Sequence, residues 1–316
     1  MTVTRGASDS SDDLTVRGFL QLSRLPFLTP GLAALITGIV LALSDGAEAE
    51  YPLVAMSIIG IALIMLTTYY FNEYYDFEGD RINKTFTRFS GGGRALIDAK
   101  VPRRIARIAG WSSVGILVLI AIIYLLFYFM DYPLLLPLGL FGAFCGMFYT
   151  HPPFQWSYQG IGEIMIGGCY GVLALFSAYY LTSGTVDLGM LLVGLPASLT
   201  VFGLIVVNEL PDLEADRAVN KRNLVVRFGL KRGAIIYSCA MALTYPVMVA
   251  SVAAGMNPSI ALFGLPVLVL SIVILLIVGK GGYAVHKSQE TLGGLTVLTN
   301  MLSSLLFIAA AYLEVF

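Results

Sequence analysis

NEYYDFEGDR at residues 72–81 and NELPDLEADR at residues 208–217 are two copies of one motif, N-E-x-x-D-x-E-x-D-R. Six of the ten positions are identical, and four of those six are acidic. Each copy lies at the end of a long apolar run, where ionisable side chains are costly and normally mark a functional site. The repetition predicts a duplicated chain whose two halves carry equivalent acidic sites.

The apolar runs around the motifs predict a membrane protein. Of the 316 residues, 57% are hydrophobic and only 12% are charged, whereas soluble domains carry about 25% charged residues. A run of about 20 apolar residues is long enough to cross a bilayer as a helix. Nine such runs are predicted, at residues 26–43, 51–75, 105–130, 132–149, 161–181, 188–210, 234–254, 260–278 and 292–315. We therefore expect an all-α integral membrane protein with nine transmembrane helices.

The basic residues indicate how these helices are oriented. If all nine runs cross the membrane, all 19 Lys and Arg residues fall on one side of it. The positive-inside rule makes that side cytoplasmic, so we expect the N-terminus in the cytoplasm and the C-terminus outside. The motifs end the second and sixth helices, and both therefore face the cytoplasm. This spacing predicts two similarly oriented four-helix halves followed by a ninth helix.

The N-terminal region differs in composition from the rest of the chain. Residues 1–13 are polar and predict a disordered tail, without the apolar core of a signal peptide. Residues 14–25 predict a short amphipathic helix at the membrane interface. We expect residues 14–316 to form a single transmembrane domain.

Each motif places one Asn and two Asp residues four positions apart, which brings them close to one face of a helix. The predicted stripes are Asn72, Asp76 and Asp80, and Asn208, Asp212 and Asp216. The second stripe requires the helix to continue past Pro211, which can kink it. Facing acidic stripes repel each other unless cations lie between them, and Mg²⁺ prefers oxygen ligands and is usually shared with substrate phosphates. The four aspartates are therefore candidate catalytic residues, and all six side chains are candidate metal ligands. The alternative is that the acids lie at wet helix ends and pair with nearby arginines.

The loops that follow the motifs carry candidate diphosphate-binding residues. These are Lys84, Arg88 and Arg94 in the first loop, and Lys221 and Arg222 in the second. Cationic side chains beside a metal would help to neutralise a diphosphate. The glycines at residues 91–93 allow backbone amides to approach an anion. The alternative role for these basic residues is contact with lipid headgroups.

With these motifs the chain resembles the UbiA superfamily of intramembrane aromatic prenyltransferases. The family pattern is two Asp-rich motifs on helices 2 and 6 of a nine-helix fold. Within the family, the chain is most similar to the 1,4-dihydroxy-2-naphthoate prenyltransferases of menaquinone synthesis. That similarity comes from FSGGGRAL at 89–96, YTHPPF at 149–154 with GIGE at 160–163, and KRNLVVRFG at 221–229. Pro211 departs from the pattern, because such enzymes often carry Arg before this Asp.

The resemblance implies transfer of a long isoprenyl chain from isoprenyl diphosphate to an aromatic quinone precursor. It implies a multi-pass enzyme of the cell membrane with its active site near the cytoplasmic face. The implied cofactor is Mg²⁺, expected as two ions, with Mn²⁺ as a substitute. The expected partners are the two substrates and membrane lipids, without nucleic acid or an obligate protein partner.

Four residues are candidates for binding the acceptor. Arg24 matches a family position that can face the acceptor's carboxylate, although an arginine here could also snorkel to the interface. Tyr149 and His151 could contact diphosphate or acceptor, or could belong to an interfacial aromatic belt. Glu163 could orient an acceptor hydroxyl or pair with a loop arginine.

Two other functions remain open at this point. A cation-coupled transporter also carries repeats and intramembrane acids, but its sites usually lie at mid-membrane in oppositely oriented repeats. Among enzymes, the alternative is geranylgeranyl transfer to a glycerol-phosphate precursor of ether lipids.

Overall fold

The regular elements of the described chain are all helices. The computed structural model describes residues 16–98 and 100–312, so the tail predicted at residues 1–13 lies outside the described residues. The α-helices are α1 Val16–Leu22, α2 Thr29–Ser44, α3 Tyr51–Tyr75, α4 Phe77–Ile82, α5 Arg103–Phe127, α6 Leu135–Met147, α7 Gly162–Gly168, α8 Ala174–Ser183, α9 Gly189–Ala218, α10 Leu224–Phe228, α11 Leu230–Ala250, α12 Ile260–Phe263, α13 Leu265–Gly279 and α14 His286–Tyr312. A π-helical segment, Cys169–Leu173, joins α7 to α8.

Within the described residues, eight helical spans are long and apolar enough to cross a membrane. They are Val16–Ser44, Tyr51–Tyr75, Arg103–Phe127, Gly162–Ser183, Gly189–Ala218, Leu230–Ala254, Ile260–Gly279 and His286–Tyr312. The run predicted at residues 132–149 forms the shorter helix α6, with 13 residues. Helix α6 begins two residues after Pro133 and ends at Met147, before the Pro152–Pro153 pair. The chain is therefore an all-α, multi-pass membrane protein.

The first motif spans two helices. Helix α3 ends at Tyr75 and α4 begins at Phe77, with Asp76 between them at φ −82° and ψ 0°. Helical hydrogen bonds nevertheless cross this break, because the Asp76 amide donates to the Asn72 carbonyl at 2.8 Å and the Asp80 amide donates to the Asp76 carbonyl at 3.0 Å. The predicted stripe is retained, with a change of backbone direction at its centre.

The second motif lies on one continuous helix. Helix α9 runs through Pro211 as far as Ala218, two turns beyond the predicted end of this helix. Proline lacks the amide that would bond the carbonyl four residues earlier. At the same point the Thr85 hydroxyl, from the loop after the first motif, donates to the Pro211 carbonyl at 2.5 Å. This contact docks the first loop onto the helix that carries the second motif.

The loop after the first motif, residues 83–98, also contacts α1 and α14. Gln21 in α1 donates to the Gly93 carbonyl at 2.7 Å. Arg88 in this loop forms an ion pair with Glu290 in α14, with a 3.0 Å separation between Arg88 Nε and Glu290 Oε1. The loop is therefore held over the ends of α3 and α9 from two directions.

Candidate active site

Lys221 joins the two acidic motifs. Its ammonium donates to Asp76 Oδ2 of the first motif at 2.7 Å and lies 3.8 Å from Asp216 Oδ1 of the second. The Lys221 side chain is 17% exposed and that of Asp76 is 4% exposed. Burial opposes the charged ammonium, but the carboxylates of Asp216 and Asp76 outweigh it and raise the pKa of Lys221 well above its usual value. Lys221 is therefore a permanent positive charge between the motifs.

Asp212 is held from the opposite half of the chain. Asn83 Nδ2 donates to its Oδ1 at 2.7 Å, and the Gly91 amide donates to its Oδ2 at 3.0 Å. Gly91 has φ +72°, a conformation that glycine adopts without steric strain. The loop after the first motif thus holds an aspartate of the second, while Lys221 after the second motif holds an aspartate of the first. Through these crossed contacts the two motifs form one site.

Further polar groups fix the orientation of the carboxylates. The Tyr158 hydroxyl donates to Asp76 Oδ1 at 2.8 Å, and Asn72 donates to Asp76 Oδ2 at 2.8 Å. Asn223 donates to Asp216 Oδ2 at 2.7 Å. These contacts order the aspartates before any substrate arrives, which is the preorganisation that electrostatic catalysis requires.

The first glutamate of each motif, Glu73 or Glu209, anchors the loop that follows that motif. Glu73 accepts a hydrogen bond from the Gly93 amide, and Glu209 Oε2 accepts one from the Val225 amide at 3.4 Å. Both glutamates are buried. The first glutamate of each motif therefore differs in role from the aspartates, because it holds the backbone of a loop while the four aspartates line the polar cavity between the motifs.

Two cavities adjoin each other at this site. A polar cavity of about 160 Å³ lies between the motifs, and a cavity of about 720 Å³ with almost wholly apolar walls lies beside it. The polar cavity is lined by Asn72, Asp76, Asp80, Asn208, Asp212, Asp216 and Lys221, together with Arg24, Phe27, Tyr69, Tyr149 and Tyr170. Such a pair of cavities suits a substrate with an anionic head and a long apolar chain.

The donor set fits a divalent cation. Burial and the carboxylates of Asp76 and Glu73 raise the pKa of Asp80 well above its usual value, and Lys221 only partly opposes this shift. A divalent cation would relieve the repulsion, and carboxylate and amide oxygens are ligands that Mg²⁺ accepts. Among the described residues, no three His, Cys, Asp or Glu side chains converge as a ready-made metal cage. An ion here would therefore complete its coordination with phosphate oxygens and water, as Mg²⁺ commonly does.

Only one of the five predicted diphosphate-binding cations lines the cavity. That residue is Lys221. Arg88 pairs with Glu290, and the guanidinium of Arg94 lies 4.0 Å from the centre of the Phe86 ring. Lys84 and Arg222 are exposed outside the cavity.

Arg24 and Tyr149, two of the four acceptor-binding candidates, line the cavity. The Arg24 guanidinium lies 4.7 Å from the Phe27 ring centre and 5.5 Å from that of Tyr69. Its Nη1 lies 3.8 Å from a carboxylate oxygen of Glu73. Arg24 is therefore a cation oriented by its neighbours at the edge of the cavity. It differs in this from an arginine that snorkels freely to the interface.

His151 and Glu163, the other two candidates, lie outside the cavity lining. The ring of His151 packs edge-on against Phe71 and Tyr75, with centroid separations of 5.1 Å in each case. Glu163 is buried and accepts a hydrogen bond from the Leu224 amide at 2.9 Å. Glu163 thus supports the loop that carries Lys221.

Four polar side chains of the site were missed by the sequence analysis: Asn83, Tyr158, Tyr170 and Asn223. The sequence did contain a signal for Asn83, because the repeat extends into DRINK at residues 80–84 and DRAVNK at residues 216–221. This longer match aligns Asn83 with Asn220 and Lys84 with Lys221. The two loops contribute different residues of this Asn-Lys pair to the site. The first loop contributes Asn83, and the second contributes Lys221. Nothing in the local sequence distinguished Tyr158, Tyr170 or Asn223.

The UbiA prenyltransferase family matches residues 32–289, and the chain belongs to this family. The resemblance drawn from the two motifs is thereby confirmed.

Two similar proteins carry the names of naphthoate or naphthoquinone prenyltransferases. A 1,4-dihydroxy-2-naphthoate octaprenyltransferase from Bacillus subtilis (strain 168) is 26% identical over 235 residues, which cover 74% of this chain and 73% of that protein. A chloroplastic 2-carboxy-1,4-naphthoquinone phytyltransferase from Arabidopsis thaliana is 31% identical over 115 residues, which cover 33% of this chain and 29% of that protein.

Solved structures share the fold. A UbiA homolog from Archaeoglobus fulgidus, bound to GPP and Mg²⁺, has a TM-score of 0.60 and 15% identity, covering 94% of this chain and 98% of that one. A structure of digeranylgeranylglyceryl phosphate synthase has a TM-score of 0.59 and 16% identity, with the same coverage of both chains. At these identities the similarity concerns the fold alone.

Proposed function

We propose that this chain is a Mg²⁺-dependent prenyltransferase that transfers a long isoprenyl chain from isoprenyl diphosphate to an aromatic acceptor resembling 1,4-dihydroxy-2-naphthoate. The observation that carries the proposal is the pair of crossed contacts between the motifs. Lys221 binds Asp76 and Asn83 binds Asp212, and a large apolar cavity lies beside them. The naphthoquinone prenyltransferases among the relatives support the acceptor class.

The diphosphate would lie between the motifs. Their Asp and Asn side chains would hold two Mg²⁺ ions, replaceable by Mn²⁺, which neutralise the departing diphosphate. Lys221 contributes a further positive charge from within the same cavity. The C1–O bond breaks with its electron pair leaving on the diphosphate, an electron-rich ring carbon bonds to the allylic C1, and that ring carbon then releases its proton.

The isoprenyl chain would occupy the apolar cavity of about 720 Å³. Its lining comes mainly from α3, α5, α6 and α8, including Ile64, Val118, Phe141 and Ser177. Apolar walls keep water from the allylic cation, which water would otherwise capture. Membrane lipids are the medium from which this substrate enters, and the proposal requires neither nucleic acid nor a protein partner.

The acceptor would bind at Arg24 and Tyr149. Arg24 Nε is buried and makes no hydrogen bond to any described residue. A planar carboxylate is the group that a guanidinium binds with two parallel hydrogen bonds. The aromatic rings of Phe27 and Tyr69, which also line the polar cavity, would face the acceptor ring. In this proposal His151 does not contact the acceptor, and Glu163 supports the loop that carries Lys221.

We propose nine membrane crossings for the single domain at residues 14–316, with α6 as the fourth and the site near the cytoplasmic face. Two contacts support a crossing by α6. Arg103, at the start of α5, donates to the Tyr74 carbonyl at the motif end of α3, and Tyr158, after α6, donates to Asp76 at that same end. Helix α5 crosses to the other side, so the segment between α5 and Tyr158 has to return.

Cysteine labelling tests this topology. In a protein whose exposed Cys239 is replaced by serine, Asp131→Cys, before α6, is expected to react with an impermeant maleimide from outside intact cells. Gln159→Cys, after α6, is expected to react only from the cytoplasmic side. Both positions are exposed, so lack of access is not an explanation for a missing signal. Labelling of both from one side would rule out a crossing by α6.

An acceptor panel tests the function. Purified protein given a labelled isoprenyl diphosphate is expected to form product with 1,4-dihydroxy-2-naphthoate, to stop in excess chelator and to resume with added Mg²⁺. The Asp212→Ala variant, which is expected to lose nearly all turnover, is the control for contaminating enzymes. Product only with a glycerol-phosphate lipid would replace the aromatic acceptor with the ether-lipid alternative. Full turnover in chelator would refute the metal requirement.

A further inference from the structure

Tyr170 lies at the boundary between the two cavities. Among the described residues it is the only one that lines both the polar cavity between the motifs and the large apolar cavity. Tyr170 is 6% exposed, so its ring is buried at this boundary. A substrate with its anionic head at the motifs and its chain in the apolar cavity would therefore lie beside this residue.

An unusual turn of helix holds Tyr170 at this place. It is the second residue of the π-helical segment Cys169–Leu173. Within this segment the Val172 amide donates to Ser198 Oγ of α9 at 2.9 Å. A Cβ added at Gly171 would lie 2.2 Å from the Ser198 backbone nitrogen, so the two helices are in direct backbone contact here. Such π turns inside α-helices frequently occur at functional sites.

The hydroxyl of Tyr170 is poorly satisfied by the protein. It is buried and makes no hydrogen bond of acceptable geometry with the described residues, although Thr68 and Tyr69 lie beside it. Those neighbours donate their own protons to backbone carbonyls, Thr68 to Ile64 at 3.0 Å and Tyr69 to Phe27 at 2.6 Å, so neither has a proton left to donate to Tyr170. A buried hydroxyl without a partner is costly in a native protein, and a ligand group is one explanation for its retention.

We propose that Tyr170 positions the reacting ends of both substrates: its ring packs on the first isoprene unit, and its hydroxyl binds a ring oxygen of the aromatic acceptor. The inference rests on the proposed function and assigns a further residue to it. The isoprenyl chain has no polar atom to offer this hydroxyl, and the diphosphate is held at the motifs by Lys221 and the metal ligands. The acceptor, next to Phe27 and Tyr69, supplies the remaining polar group.

Tyr170→Phe tests the hydroxyl while keeping the ring. Loss of one hydrogen bond is expected to raise the acceptor KM about tenfold, to leave the KM for isoprenyl diphosphate within about twofold, and to yield a mixture of ring positions in the product. Tyr179→Phe is the matched control, because that hydroxyl lies on the same span and binds Asp45 at 2.7 Å, away from both cavities. Tyr179→Phe is expected to keep wild-type kinetics.

Tyr170→Ala tests the ring. Opening this boundary is expected to admit water, so that free prenyl alcohol becomes a larger fraction of the products than in wild type or Tyr170→Phe. Thermal melting in detergent checks that each variant is folded. Wild-type acceptor KM and product pattern in Tyr170→Phe would overturn the proposal, as would equal changes in both KM values. Failure of the wild-type enzyme itself would instead refute the proposed function.

Discussion

Lys221→Met is expected to lower kcat/KM for isoprenyl diphosphate by about 100- to 1,000-fold, the loss typical when one preorganised electrostatic group is removed. The methionine keeps the length of the side chain and removes its charge. Lys221 is the cation that lies between the motifs, 2.7 Å from Asp76 and 3.8 Å from Asp216. Its loss also leaves those two buried carboxylates without their shared partner, and breaking a buried pair destabilises a protein by about 3–5 kcal/mol.

The neighbouring residue provides the control. Arg222→Met removes an equal charge one position away, from a side chain that is exposed outside the cavity, and is expected to be nearly neutral. Lys221→Arg is expected to retain part of the activity, because it keeps the charge with a different geometry. Thermal melting of all three variants separates loss of folding from loss of catalysis. Equal rates for Lys221→Met and Arg222→Met in folded protein would remove Lys221 from the mechanism.

Asp76→Ala and Asp212→Ala are each expected to lower turnover by roughly two to three orders of magnitude. Each carboxylate is a candidate metal ligand in the cavity, and each is held by groups from the opposite half of the chain, Asp76 by Lys221 and Asp212 by Asn83. Removal of either therefore disturbs both motifs. The loss should persist at saturating Mg²⁺, because the ligand itself is missing.

Arg103→Ala serves as the control for these substitutions. Arg103 is exposed and donates to the Tyr74 carbonyl at 2.8 Å, close to the first motif but outside the cavity. We expect its replacement to change turnover by less than about threefold, as is common for exposed positions away from a site. Near-normal rates in either Asp variant would mean that only one of the motifs works.

Most membrane-spanning helices and the placement of the six motif residues around one cavity could be predicted from sequence, because both depend on local signals. Apolar runs of membrane-spanning length and the fourfold spacing of Asn and Asp are visible in the chain itself. The helix break at Asp76 and the continuation of α9 through Pro211 were not visible. The latter coincides with a hydrogen bond from Thr85, more than a hundred residues away in sequence.

Which loop residues reach the cavity could not be predicted from sequence. Lys84 and Lys221 occupy matching places after the two motifs, yet only Lys221 reaches the cavity. One extra residue in the second loop, DRAVNK against DRINK, changes which side chain of the Asn-Lys pair faces the aspartates. The contacts of Asn83 with Asp212 and of Lys221 with Asp76 join distant parts of the chain, so they depend on how the halves pack together.

The central claim is that the two motifs act as one diphosphate site, and the turnover of the Asp76→Ala/Asp212→Ala double variant tests it most directly. Residues that work as a unit give strongly non-additive losses. The account predicts that the folded double variant, measured at saturating Mg²⁺, is within about tenfold of the worse single variant. A loss equal to the product of the two single losses, about 10⁴-fold or more, would show that the motifs act independently and would contradict the account.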